Sequence, residues 1–168
     1  MSRKRLTYLA VPYTWNPERS YEIANKVASY FMAEGKTVFS PVSHSHHIAD
    51  HMAEPLRLSQ EFWMAQDLPL VDVCSEIIFV LINVPGVKSG EKLLTSSKGC
   101  MSEMEEAIKE GLSIKFCEYI ELEDGFAINL LDNGKGDEKV FGKDVSISGR
   151  IISYDDGPTL ANQGRASF

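Results

Sequence analysis

Ser97-Lys98-Gly99 followed by Glu103 is the stretch of this chain best suited to hold and attack a small phosphorylated molecule. A helix starting there points its first N–H groups outward, its dipole favours negative charge, and glycine permits close approach. Glu103 comes four residues after Gly99, on roughly the same face and about 6 Å further along the axis. An anion at the helix start and a carboxylate about one turn inside fit a single ligand. The spacing also admits a plainer reading, in which Ser97 only caps the helix and Glu103 is one solvated acid among Glu103, Glu105, Glu106 and Glu110. Asp67 stands one helical turn after Trp63. A carboxylate beside an indole suits stacking and hydrogen bonding to a heterocycle, but Asp67 could equally cap a helix restarting at Leu68-Pro69. The run Ser43-His44-Ser45-His46-His47, with His51 beyond, invites a zinc reading. There is no HExxH and no nearby cysteine, and His47 and His51 share a face only if the segment is helical. A loop lining a polar pocket fits the run better, and plain surface histidines are the third reading. Tyr8 and Tyr13 point toward one end of the first strand, although Tyr8 alone reads equally as a core aromatic with a satisfied hydroxyl. The segment Ala10 to Thr14 lacks GxGxxG and GxxxxGK[ST], which argues against the usual dinucleotide and Walker phosphate loops.

The elements that must position these groups follow from pattern. Leu6 to Pro12 is a short β-prone run, and Asn16-Pro17-Glu18 opens a helix with a cap, a first-turn proline and an acid. Ala24, Val27, Ala28 and Phe31 share one face of that helix, which Gly35 ends. Thr37 to Ser40 reads as a second strand, and Pro41 to Pro55 as a loop holding all the histidines. A helical stretch from about Leu58 is expected to break or restart near Asp67-Leu68-Pro69. Glu76 to Ile82 is almost continuously apolar, as in a strand buried on both faces. Asn83 to Lys98 reads as a Gly/Ser/Lys loop, Gly99 to Gly111 as a helix burying Met104, Ala107 and Ile108, and Ser113 to Phe116 as the start of a fourth strand. This βαβαβαβ alternation predicts an α/β fold, a parallel sheet with helices on both faces and its site at the carboxyl ends of the strands.

At 168 residues the chain is long enough for one domain with a real core. Its 43% hydrophobic and 24% charged content is ordinary for a globular protein. No apolar run approaches a membrane span, and the basic start Met1 to Arg5 precedes a strand rather than a signal peptide. A net charge of −7 argues against non-specific binding to nucleic acid or membrane. Cys74, Cys100 and Cys117 form no CxxC and read as reduced thiols of a cytoplasmic protein. Most of the net negative charge lies in residues 118–168. There Phe126 to Leu131 and Val145 to Tyr154 are candidate strands, separated by turn signals at 123–125, 132–134 and 155–157. The division expected is a domain over 1–118 and an extension over 119–168, the latter a β appendage or oligomerisation arm with a partly disordered end.

Taken in order, the pieces also carry a family resemblance. Tyr8-Leu9-Ala10-Val11-Pro12-Tyr13, Val38-Phe39-Ser40-Pro41-Val42-Ser43-His44-Ser45-His46, Trp63-x3-Asp67-x2-Leu70-Val71 and Ser97-x-Gly99-x3-Glu103-x3-Ala107-x3-Gly111 make up the series. It resembles the nucleoside 2-deoxyribosyltransferase-like superfamily over residues 6 to 116. The nearest branch is a bacterial and phage one with YLAxPY and FSPxxHSH signatures, related to 2′-deoxynucleoside 5′-phosphate N-hydrolases. The resemblance implies a flavodoxin-like, Rossmann-like fold and cleavage of an N-glycosidic bond. Glu103 would attack C1′ of the sugar, giving a glycosyl-enzyme intermediate resolved by water or a second base. It would make Tyr8 the orienting partner of Glu103, and Asp67 the acid serving the sugar or the departing base. Ser97 would hold a 5′-phosphate, with Arg19 as a further phosphate contact. Ala10, Pro12, Tyr13, Ser40, Pro41, His44, His46, Trp63 and Gly99 would complete the substrate site. A small-molecule nucleotide or nucleoside as partner, no cofactor, no metal, a homo-oligomer and a preference for 2′-deoxy sugars follow from the same resemblance. The chain departs from the pattern at Cys74-Ser75, where relatives have Cys-Asp with Glu76 here displaced by one, and in a longer segment from Asn83 to Ser96. Two other functions compete with hydrolase or transferase: a non-catalytic nucleotide sensor on the same fold, and a metalloprotein built on His44, His46 and His47.

Overall fold

The computed structural model describes residues 5–87 and 89–131, and the backbone of 152–154. β1 (Leu6–Ala10) leads through α1 (Pro17–Ala33) to β2 (Thr37–Phe39). Three helices follow, α2 (Pro41–Ala49), α3 (Glu54–Arg57) and α4 (Gln60–Asp72), before β3 (Glu76–Asn83). α5 (Gly90–Ser96) and α6 (Lys98–Lys109) precede β4 (Ser113–Leu122), β5 (Gly125–Leu131) and β6 (Ile152–Tyr154). The six strands form one sheet in the order β2-β1-β3-β4-β5-β6. β1 to β4 are parallel, and β5 and β6 add antiparallel strands at one edge. The expected α/β fold with helices on both faces and the flavodoxin-like start 2-1-3-4 is therefore what the chain adopts.

Period-two alternation divides the strands between two cores. Leu9, Val11, Ile78, Val80 and Ile82 pack with Ile23, Ala24, Val27 and Phe31 of α1. Tyr8, Ala10, Ile77 and Phe79 face the other way and meet Val71 of α4 and Cys100, Met104 and Ala107 of α6. Asn16 caps α1 through Arg19 N–H, with Pro17 in the first turn, as the sequence predicts. Gly35, at φ 87°, and Gly111, at φ 69°, end the two helices whose stops they mark.

Several expectations need correction. Residues 41–49 are a helix rather than a loop, because Ser40 accepts a hydrogen bond from Ser43 N–H and Pro41 takes the first turn. α4 runs unbroken through Pro69. The proline removes one ladder bond near the end of the helix, where burial of Val71 holds the last turn in place. The stretch from 83 to 98 contains α5, capped by Ser89, and Ile108 is 64% exposed rather than buried. The candidate strand at 126–131 is β5; of 145–154 only 152–154 are described and these are extended. Residues 145–151, the turn signals at 132–134 and 155–157, and the final residues 161–168 lie outside the described residues. Among the described residues no helix is long and apolar enough to cross a membrane.

Two polar networks fix the ends of the sheet. At the amino end of β3, Glu76 accepts hydrogen bonds from Thr7 Oγ1 at 3.0 Å, Lys36 Nζ at 2.5 Å and Lys115 Nζ. Burial alone would raise its carboxyl, but these donors hold it below the ordinary range. The displaced acid of the Cys74-Ser75-Glu76 segment thus ties strands together at the end opposite the carboxyl edge. At that carboxyl edge, Glu118 accepts from Asn83 Nδ2 at 2.6 Å and Asn129 Nδ2 at 3.0 Å, and Asn83 Oδ1 accepts from Gly90 N–H at 3.0 Å. This brings the start of α5 against the β3 backbone. A Cβ built at Gly90 would lie 2.8 Å from Ile82 N and 2.9 Å from Leu81 C, both unyielding backbone atoms. Helix propensity favours alanine there by about 1 kcal/mol. Overpacking reverses the sign, and Gly90→Ala is expected to lower stability by about 1–3 kcal/mol, read from denaturant unfolding. An unchanged or raised midpoint would show that α5 does not press on β3.

Candidate active site

β1 is flanked by β2 and β3, so the connections leaving the carboxyl ends of β1 and β3 diverge, which is where an open α/β sheet forms its crevice. Three predicted residues meet just below it. Tyr8 projects from β1 toward the α4/α6 face, Asp67 from the middle of α4, and Glu103 from the second turn of α6. The Tyr8 hydroxyl donates to Glu103 Oε1 at 2.7 Å, across 95 residues of sequence. Tyr8 is 0%, Glu103 5% and Asp67 8% exposed, whereas Glu105 and Glu110 are exposed. Glu103 is thus no solvated acid, and Asp67, inside α4, caps no helix.

Burial sets the protonation of this group. It pushes the Glu103 carboxyl up to about 8, opposed by the Tyr8 hydrogen bond and reinforced by the charge of Asp67. Asp67 is pushed up to about 6 by burial. Tyr8 lies far above its usual range, through burial and then the neighbouring Glu103 and Asp67 charges, so it is a permanent donor. Between about 6 and 8 the two carboxyls hold one proton between them.

Ser97 ends α5 and caps α6, its Oγ accepting from Cys100 N–H at 3.3 Å. The N–H groups of Lys98 and Gly99 come before the helix ladder begins. A Cβ at Gly99 would make only ordinary contacts, the nearest at 3.6 Å to Met64 Cε, so packing does not demand glycine there. Cys100, one turn before Glu103, is buried, and its thiol lies well above the usual range through burial first and Glu103 second.

Beside Ser97 a cleft of about 400 Å³ opens over the α1 face, lined by Pro12, Thr14, Trp15, Gly86, Val87, Leu93, Ser96 and Ser97. Glu103, Tyr8 and Asp67 do not line it; they lie on the other side of the sheet, and Ser97 stands at the border. Trp15 was not legible as a site residue, its only signal being an apolar side chain just before the Asn16 cap.

The remaining candidates have partners elsewhere. Tyr13 Oη lies 3.0 Å from His46 Nδ1, and His46 Nε2 lies 3.3 Å from Glu18. The His46 ring stacks on Tyr21 at 4.4 Å, which joins α2 to α1. His44 is exposed beside Phe39, and Ser40 and Pro41 serve as the cap and first turn of α2. Trp63 donates its indole N–H to Arg57 O at 2.8 Å. Arg19 pairs with Glu121 at 2.5 Å across to β4. Ala10, two residues after Tyr8 on the same face of β1, is fully buried. Among the described residues, the acidic and histidine side chains that converge at metal-ligand spacing are Asp72, Glu106 and Glu110, at the far ends of α4 and α6, and not the histidine run.

The fold and these side chains define an α/β protein with a buried carboxyl pair beside Tyr8 between its sheet and the helices α4 and α6. By sequence the chain belongs to DUF1937, a domain of unknown function, whose model matches residues 5–118. No curated protein matches it significantly. Among solved structures it is similar to a 2-desoxiribosyltransferase from Leishmania mexicana, at 13% identity and a TM-score of 0.45, over 68% of this chain and 64% of that one. It is also similar to a 2-deoxyribosyltransferase from the psychrotolerant bacterium Bacillus psychrosaccharolyticus, at 18% identity and a TM-score of 0.46, over 67% of this chain and 72% of that one. The chain therefore spans about two thirds of the length of these proteins.

Proposed function

We propose that this protein cleaves the N-glycosidic bond of a 2′-deoxynucleoside 5′-monophosphate through a glycosyl ester on Glu103. The observation that carries the reading is the buried 2.7 Å hydrogen bond from Tyr8 to Glu103, with Asp67 alongside. A nucleophilic carboxylate must be held still, shielded from water and aimed with one oxygen free. Tyr8 holds Oε1, the Cys100 thiol is a further hydrogen-bond partner of the same carboxyl, and C1′ is assigned to Oε2. As the C1′–N bond breaks, its electron pair leaves with the base, and Asp67 supplies the proton that a poor leaving group needs. Water then gives a proton to the Asp67 carboxylate and attacks C1′, which frees Glu103 as a carboxylate and yields a deoxyribose 5-phosphate.

The phosphate is assigned to the start of α6. The N–H groups of Lys98 and Gly99, the Ser97 hydroxyl and the helix dipole suit an anion, and Gly99 stands free of packing demands. The rise from Gly99 to Glu103, about 6 Å, is of the order of the span from a 5′-phosphate to the anomeric carbon. The test is chromatographic. Common and modified (deoxy)nucleosides and their 5′-monophosphates are incubated with the protein, with and without free acceptor bases. Base release from monophosphates without an acceptor is expected. Turnover that requires an acceptor base would make the protein a transferase, and no release under any condition would overturn the reading.

A further inference from the structure

We propose that the cleft beside Ser97 receives a second nucleoside, joined to the substrate through its 5′-phosphate, so that the preferred substrate is a dinucleotide-type molecule. This rests on the proposed placement of C1′ at Glu103 and of the phosphate at the start of α6. With the sugar on the α4/α6 side, the 5′ end crosses the carboxyl edge at Ser97, and whatever continues beyond it enters the cleft. At about 400 Å³ that space is the size of a small-molecule site in its own right, and a lone terminal phosphate would leave most of it empty.

The walls say what fits. Trp15 is held in place by its indole N–H bond to Pro12 O at 3.1 Å, and with Val87 and Leu93 it packs on the α1-side core. A fixed indole between aliphatic side chains offers a surface for a flat ring. Thr14, Ser96 and Ser97 add hydroxyls suited to ring edges and sugar oxygens. Among the described residues, none of the lining side chains is charged. A longer polyphosphate tail would bring further negative charge with no cation among the described wall residues to meet it, whereas a second nucleoside brings none.

The test measures binding by calorimetry in the Glu103→Gln background, which leaves the probes intact. The probes are deoxyadenosine 5′-monophosphate, its 5′-triphosphate, a dinucleoside 5′,5′-pyrophosphate and a dinucleoside monophosphate. Base–aromatic stacking predicts that at least one of the two-nucleoside probes binds about tenfold or more tighter than the monophosphate. Which of them gains more distinguishes an anhydride link from a diester. Trp15→Ala should abolish that gain and leave monophosphate binding unchanged. Thr14→Glu, at an exposed position, should do the same without touching the core, and decides the matter should Trp15→Ala fail to fold. Equal binding of all probes, a preference for the triphosphate, or a gain that survives both substitutions would overturn the proposal. Base release from monophosphates with no such gain would sink the cleft assignment alone. Tight two-nucleoside binding with no base release by the wild type would instead sink the N-glycosidase reading and leave the cleft assignment standing.

Discussion

Glu103→Gln is expected to lower base release by about 10³-fold or more while making the folded protein more stable at alkaline pH. The two effects share one cause. A carboxyl at about 8 in the folded state, against 4.5 when unperturbed, keeps a proton that the unfolded chain releases. The folded state thus binds more protons than the unfolded state between those values, and stability falls as pH rises through that window. The displacement corresponds to on the order of 3–5 kcal/mol of differential stabilisation, fully expressed only above about pH 8. An amide of the same shape still accepts the Tyr8 hydrogen bond but never ionises. The variant and wild type should therefore melt together near pH 5 and separate by several degrees near pH 9, with the variant higher. Thermal melts at the two pH values check this. A variant that is equally destabilised at both would mean that Glu103 is held by its contacts rather than strained by burial, and a variant that retains base release would remove it from the chemistry.

How far such a site could be read in advance depended on the range of the interactions involved. β1, α1, β3 and α6 declare themselves through local signals: an apolar run, the Asn16-Pro17 start, a doubly buried strand and the Gly111 stop. The spacing of Ser97, Gly99 and Glu103 was equally local. What spacing could not show is that Glu103, unlike Glu105 and Glu110, turns inward, because an acid in a helix looks the same from either side. The deciding partner, Tyr8, is 95 residues away and enters only when β1 comes to lie beneath α6. α2 was hidden for a different reason. Its polar, histidine-rich composition reads as loop, and only the Ser40-Pro41 pair betrays the helix start. Pro69 misled in the opposite direction, since propensity outweighs packing in sequence but not in the folded chain. Ile108 lies on the expected stripe of α6 but at its edge, where no element among the described residues covers it. The cleft beside Ser97 is not legible in the sequence because its walls come from three separate segments, the connections after β1 and after β3 and the end of α5 with Ser97.

Asp67→Asn separates the roles of the two carboxyls, and its largest signature is in the shape of the pH profile. In the wild type the productive form has Glu103 ionised and Asp67 protonated, the less populated of the two ways of placing a single proton on the pair, since Glu103 holds the proton more tightly. That proton is present between about 6 and 8. Activity should therefore be bell-shaped, with limbs near those values that belong to the pair jointly. Below the window both groups are protonated and the nucleophile is masked; above it no acid remains for the departing base. With an amide at 67 only Glu103 titrates. The alkaline limb should disappear and activity should rise with pH to a plateau. Its midpoint should lie below about 8, because the Asp67 charge that raises Glu103 has gone. The plateau should be about 10²–10⁴-fold below the wild-type maximum for a purine or pyrimidine that leaves poorly. For a substrate whose base departs readily as an anion, the deficit should shrink, since the missing proton is no longer required. A retained bell, or a deficit indifferent to the leaving group, would show that Asp67 is not the acid and that its burial beside Glu103 serves only to raise the nucleophile.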